Sequence, residues 1–213
     1  MPFEETRSSL YQFDETFRRK GFQRVAGIDE VGRGPFAGPV VASICLFPAS
    51  FYLPQINDSK SLTEKQRYSI YLQLVSSFQV EFGIGLVDVQ TLDQMGVHQA
   101  SFLAMKRACD TLLTPPDCLL IDGKHPPHGL PSSVHQEMVI GGDKRSALIA
   151  AASILAKVRR DWIMEQIHNF APEYRFDEHK GYGTKKHKEA LEMSGIVPGV
   201  HRTSFAPIQK IMK

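Results

Sequence analysis

Four carboxylates stand at the ends of short apolar runs, and no other feature limits so sharply what this chain can fold into. QRVAGIDE (23–30) closes on Asp29 and Glu30, CLLID (118–122) closes on Asp122, and Asp143 follows VHQEMVI (134–140) in a glycine turn. Apolar, β-branched runs of this length between Gly and Pro clusters read as strands. An ionised carboxylate beside an apolar core is costly unless it is paired or binds a cation. Several together repel one another, which raises their proton affinity unless a divalent metal neutralises them. Carboxylate oxygens without His or Cys among them suit Mg²⁺ or Mn²⁺ better than Zn²⁺. Singly, each acid has an ordinary use: Asp29 can cap the following turn, Asp122-Gly123 is a turn dipeptide, and Asp143 stands where an N-cap would for a helix opening at Lys144. Four at strand ends exceed what turn chemistry requires. Neighbours Asp29 and Glu30 point to opposite faces of a regular strand, so the strand must end or twist there if both reach one site.

The remaining periodicity supplies a sheet and its cover. Leu10, Phe13 and Phe17 mark an amphipathic helix over 8–20, stopped by Gly21. GRGPFAG is a tight turn, PVVASICLF (39–47) a second strand, and Val80, Phe82, Ile84 and Leu86 alternate in a half-buried third strand over 79–87. Helices are expected over 63–77, 97–113, 144–170 and 185–193, the first opening on a capping box of Thr63 and Gln66. The third strand can run antiparallel, and 118–122, arriving after a helical crossover, can run parallel to one of the first two. The expected fold class is α/β, a mixed sheet with helices packed on it and a helical C-terminal extension.

At 213 residues, 42% apolar and 23% charged, the chain suits one soluble domain. Its three cysteines, Cys45, Cys109 and Cys118, lie far apart with no C-x-x-C pair, which fits a reducing compartment. The acid-bearing N-terminus is no signal peptide, so the cytoplasm is the expected location. Charge is unevenly placed. Residues 1–143 carry 12 Lys/Arg against 16 Asp/Glu, and residues 144–213 carry 13 against 7. That asymmetry suggests a polyanion partner for the C-terminal part. Ser153, Lys157 and Asp161 share one face of the long helix, with Arg160 beside them, a pattern suited to a phosphate backbone or to a plain Lys157–Asp161 ion pair.

P-loop, G-x-G-x-x-G, H-E-x-x-H and G-x-S-x-G templates all fail. GIDEVGRGPFAGPVVAS (27–43), DSKSL (58–62), LLIDG (119–123), GGDKRSALIAAASILAKVRRD (141–161), HKGYGT (179–184) and HRTSF (201–205) together resemble bacterial ribonuclease HII, in the order of that family. The resemblance implies a ribonuclease H-like mixed five-stranded sheet flanked by helices. It divides the chain into an N-terminal helical segment (1–22), a catalytic domain (23–170) and a C-terminal helical extension of it (171–213).

It also implies a metal-dependent endonuclease that cuts the RNA strand of RNA–DNA hybrids and incises at ribonucleotides embedded in duplex DNA. The family's metal-binding carboxylates fall on Asp29, Glu30, Asp122 and Asp143, with two Mg²⁺ or Mn²⁺ as cofactors. The loop of Gly32, Arg33 and Gly34, with Tyr182, senses the ribose 2′-hydroxyl in that family, and Ser59 and Lys60 match its DSK motif. Arg33 and Asp143 favour this family over ribonuclease HIII, which has a GTG-type loop and a glutamate as last acid. Ser153, Lys157 and Arg160 are candidate substrate contacts, as are Arg159, Lys180, Lys185, Lys186 and Lys188, and a monomer is expected. A non-catalytic hybrid binder would have no need of four acids, and another two-metal nuclease on the same fold differs only in substrate.

Overall fold

The computed structural model describes residues 8–57, 59 and 61–212. Helix α1 (Ser9–Arg19) leads into strands β1 (Val25–Val31) and β2 (Val40–Leu46), helix α2 (Glu64–Ser76), strand β3 (Glu81–Val87) and helices α3 (Val89–Met95) and α4 (Val97–Asp110). Strands β4 (Cys118–Asp122) and β5 (His135–Val139) follow, then the long helix α5 (Ala147–Phe170) and the short helices α6 (Phe176–His179), α7 (Lys185–Ser194) and α8 (Ala206–Ile211). The five strands form one sheet in the order β3-β2-β1-β4-β5. β1–β2 and β2–β3 pair antiparallel, and β1–β4 and β4–β5 pair parallel. The mixed sheet expected from the spacing of runs and crossovers is therefore present.

Side-chain alternation divides the core between the two sheet faces. Val25, Cys45, Cys118 and Leu120 pack against α5 and α1, whereas Ala26, Ile28, Ile44 and Ile121 pack against α4. Thr63 caps α2 through the expected reciprocal box with Gln66. Beyond the sheet, Ala37, Met164, Tyr174, Phe176, Leu191 and Ile208 form a third cluster that seats the C-terminal helices against the turn after β1.

Three expectations need correction. β3 is a strand, but its fully buried positions are Gly83, Gly85 and Val87, while Leu86 is exposed. The absent side chains let α4 lie on the strand backbone: a Cβ on Gly85 would fall 2.0 Å from the Ala104 carbonyl oxygen. α5 begins at Ala147 rather than Lys144, because Ser146, not Asp143, is its N-cap and accepts from the Ile149 amide at 3.1 Å. Asp143 instead occupies a 3₁₀ turn, Gly142–Lys144. Finally, β1 does not end at its acids; it stays paired with β2 through Val31.

The same device sets the depth of α5. A Cβ on Gly27 would lie 2.3 Å from the Leu148 carbonyl carbon and the Ile149 nitrogen, so helix and strand backbones are in direct contact. Backbone cannot yield as a side chain can. Gly27→Ala is expected to destabilise the fold by about 2–3 kcal/mol, the upper range for overpacking, read as a lower urea midpoint at unchanged slope.

Candidate active site

β1 and β4 run parallel, and their last paired residues are Ile28 and Ile121, which leaves Asp29 and Asp122 side by side one step further along. Both continue the α5-facing side of the sheet; Glu30 continues the other. The Gly142 amide donates to Asp122 Oδ1 at 2.7 Å, which brings the turn holding buried Asp143 against the strand ends. The structure thus sets Asp29, Glu30 and Asp122 within electrostatic reach of one another, with the turn that carries Asp143 against them. Burial pushes the Asp29 carboxyl well above the usual carboxylate range, and the charges of Glu30 and Asp122 push it further, against hydrogen bonds from the Ser153 hydroxyl and the Glu30 amide. Glu30 is raised chiefly by burial, while Arg33, 3.2 Å away, pulls the other way.

Among the described residues, no three His, Cys, Asp or Glu side chains stand close enough together to hold a metal ion as they are. Like charges oppose that approach, and Glu30 pairs with Arg33 instead. The donor chemistry still fits a hard divalent cation, since oxygen ligands with raised proton affinity are what such a cation would relieve.

Behind Asp29 runs a second layer. Ser59 and Ser153 hydroxyls hydrogen-bond each other at 2.8 Å, and Arg67 of α2 holds the Ser59 carbonyl with two donors at 2.9 and 3.1 Å. Asp58 and Lys60, on either side of Ser59, lie outside the described residues. Lys157 donates to Asp161 at 2.6 Å, the ion pair that the i, i+4 spacing allowed, in a partly buried setting.

Arg160 is a correction. It is fully buried, with Nε on the Pro39 carbonyl and its two terminal nitrogens on those of Lys180 and Ala37, at 2.9–3.0 Å. With its donors engaged inside the fold, it cannot reach a phosphate. Buried Arg202 does the same from the C-terminal side, donating to the carbonyls of Gly32, Arg33, Gly38 and Pro39. The two guanidinium groups therefore grip the GRGPFAGP turn from within. Gly32 has room for nothing more: its φ is +97°, and a Cβ there would sit 2.4 Å from Arg160 Nε. Tyr182 is exposed, and its ring edge lies 3.8 Å from where a Gly34 Cβ would be, so the GRG and GYG turns are neighbours. The Phe36 amide donates to the Gly181 carbonyl at 2.8 Å, joining them directly. Lys180 and Lys186 pair with Glu165 and Glu178.

Similarity to known proteins identifies the family. The family model described as Ribonuclease HII matches residues 26–208. The chain belongs to the ribonuclease HII family. A curated Ribonuclease HII of Endomicrobium trichonymphae is 49% identical over 205 residues, 96% of each chain. The ribonuclease H2 of Pyrococcus horikoshii OT3 superposes with a TM-score of 0.75 at 24% identity, over 89% of this chain and 97% of that one. Bst-RNase HIII in complex with Mn²⁺ superposes at 0.68 with 18% identity, over 89% and 69%. The ribonuclease H-like fold is thereby shown, and the activity class of the family is that of a ribonuclease H.

Several supporting residues of this ribonuclease HII chain escaped the sequence reading. Arg202 lies in the HRTSF run, and Arg67 and Asp93 sit on helices with nothing periodic to mark them. Asp93 accepts from the Thr203 and Ser204 amides and hydroxyls, fixing the segment that carries Arg202. His187 Nδ1–H donates to the Tyr182 carbonyl at 3.0 Å. Its Nε2 then accepts from His201 Nε2–H at 3.1 Å, and His201 Nδ1 accepts from the Val197 amide at 2.8 Å. This order of donors requires both rings to be neutral. Burial first, joined for His201 by the charge of His187 and for His187 by that of His179, lowers both pKa values to about 4. Since folding depresses these values below 6.5, the stability the rings contribute is complete above about pH 6.5 and is lost as pH falls through about 4. Their NMR ring resonances should stay those of neutral imidazole until about pH 4; titration of either near 6.5 in the folded protein would contradict the arrangement.

Proposed function

We propose that this chain is a divalent-metal-dependent endonuclease that hydrolyses the RNA strand of RNA–DNA hybrids and incises at ribonucleotides embedded in duplex DNA, leaving 5′-phosphate and 3′-hydroxyl ends. The observation that carries the reading is the placement of Asp29 beside Asp122 on adjacent parallel strands, with Glu30 next along β1 and the turn of Asp143 held against Asp122, in a chain of ribonuclease HII ancestry. These four would hold the cations. When bound, a pair of Mg²⁺ or Mn²⁺ ions supplies an activated water and charge stabilisation of the leaving oxygen. The Mn²⁺ bound by Bst-RNase HIII, on the same fold, supports divalent-metal use and leaves the choice of metal open. The catalytic unit is taken as 23–170, with 1–22 preceding it and 171–213 its extension, acting as a monomer in the cytoplasm. No helix among the described residues is long and apolar enough to cross a membrane.

The protein groups have separable tasks. Ser153, backed by Ser59 and Arg67, holds Asp29, and the Gly142 amide holds Asp122. Selection of RNA falls to the GRG turn. Its peptides are trans, so a carbonyl and the following N–H point in opposite directions. With the Gly32 and Arg33 carbonyls turned in to Arg202, the Arg33 and Gly34 amides are aimed the other way, and in this reading they meet the sugar. A 2′-hydroxyl can accept from such amides and donate as well, which a deoxyribose cannot. Tyr182 adds an exposed ring and hydroxyl beside them. Ser153 is turned to Asp29 and Ser59, so on this face of α5 the phosphate contact is assigned to Lys157, and such a contact would make binding salt-dependent.

A duplex DNA carrying one ribonucleotide should be cut with Mg²⁺ or Mn²⁺ and left whole with chelator, while all-DNA duplex survives. Asp29→Asn should lower turnover by at least about 100-fold, the loss that misplacement of reacting groups alone produces; near-normal turnover would remove Asp29 from the metal set. Tyr182→Ala should impair cleavage at the ribonucleotide more than binding to all-DNA duplex, and equal losses would argue against a sensing role.

A further inference from the structure

α1 lies ahead of the residues matched by the family model, 26–208, yet one of its side chains reaches the active-site frame. Asp14 is fully buried on the inward face of α1, beside Leu10, Tyr11 and Phe17. A carboxylate there needs hydrogen-bond donors, and it finds them at the start of α5. It accepts the Ser146 hydroxyl at 2.5 Å and the Leu148 amide at 3.1 Å. Ser146 Oγ in turn accepts the Ile149 amide, so two side chains from different helices together satisfy the first turn of α5.

The chain of bonds continues toward the acids. The Ser146 amide donates to the Gly142 carbonyl at 2.8 Å, closing the turn that contains Asp143, and the Gly142 amide donates to Asp122. α1 grips this turn a second time, with the Arg145 guanidinium 5.0 Å above the Phe13 ring.

We propose that Asp14 is a positioning residue for the divalent-cation site: by anchoring Ser146 it fixes the turn that carries Asp143 and steadies Asp122. This rests on the metal-site reading above. Acids that repel one another displace outward unless their supports are rigid, and ligand carboxylates bind metal better when their hydrogen-bond partners hold them in place. Leu10, Tyr11 and Phe17 dock α1 by apolar burial; Asp14 adds a connection to the site.

Mn²⁺ binding to the full chain, followed by the electron paramagnetic resonance signal of free Mn²⁺, tests this without turnover. At a temperature well below each variant's unfolding midpoint, Asp14→Ala should weaken Mn²⁺ binding about 10-fold, the lower end for outer hydrogen-bond partners of ligands. Phe17→Ala loosens α1 without touching the shared cap, so it should lower the midpoint yet bind Mn²⁺ as the unaltered protein does. If Asp14→Ala does not fold, Asp14→Asn, which keeps one carbonyl acceptor, should show a smaller loss in the same direction. Unaltered Mn²⁺ affinity in the Asp14 variants, or an equal loss in Phe17→Ala, overturns the proposal. Asp143→Asn separates the two readings. If it leaves Mn²⁺ binding intact, the cations are held elsewhere and both readings fall; a loss there with none at Asp14 removes the positioning role alone.

Discussion

Mutual repulsion of carboxylates at the edge of an apolar core is the constraint around which this molecule is organised. Parallel pairing of β1 with β4 sets Asp29 beside Asp122, and burial of both strands leaves little water to screen them. Such a group stays put only if donors hold it. The Gly142 amide holds Asp122, the Ser153 hydroxyl and the Glu30 amide hold Asp29, and Arg33 holds Glu30. Each donor belongs to a different element, so the acid cluster also ties β1, β4 and α5 together.

A complementary rule governs the turn that follows β1. GRGPFAGP contains no regular hydrogen-bonding pattern of its own, yet the carbonyls of Gly32, Arg33, Ala37, Gly38 and Pro39 turn inward, and inward carbonyls need partners. Arg160 and Arg202 supply them from α5 and from the C-terminal segment. Positive charge thus sits inside the protein and fixes the direction of a few peptide groups, which leaves the Arg33 and Gly34 amides pointing away from Arg202. His187 and His201 extend the same support to the Tyr182 carbonyl.

Close backbone contact makes this support stiff. Gly27 beneath α5 and Gly85 beneath α4 remove any cushion of side chains between sheet and helices. The first turn of α5, whose cap Asp14 and Ser146 share, is therefore seated directly on β1, two residues from Asp29.

The periodicity of the chain was enough to determine where β1, β2, β4 and α2 lie and that four acids end apolar runs, because strand alternation, capping boxes and turn residues are local signals. The motif order sufficed for the family. Tertiary structure decided the rest. Phe82, Ile84 and Leu86 promised one buried face of β3, but glycines opposite α4 took that place, since helix approach depends on what is missing rather than on what is apolar. Asp143 looked like a helix cap until Ser146, bonded to Asp14 from 132 residues away, displaced it from that role. Arg160 read as a surface cation because its helix spacing was right; its burial depends on carbonyls at residues 37, 39 and 180. Pairings across such separations leave no periodic trace, so only the folded chain reveals which charges face outward and which hold the fold in shape.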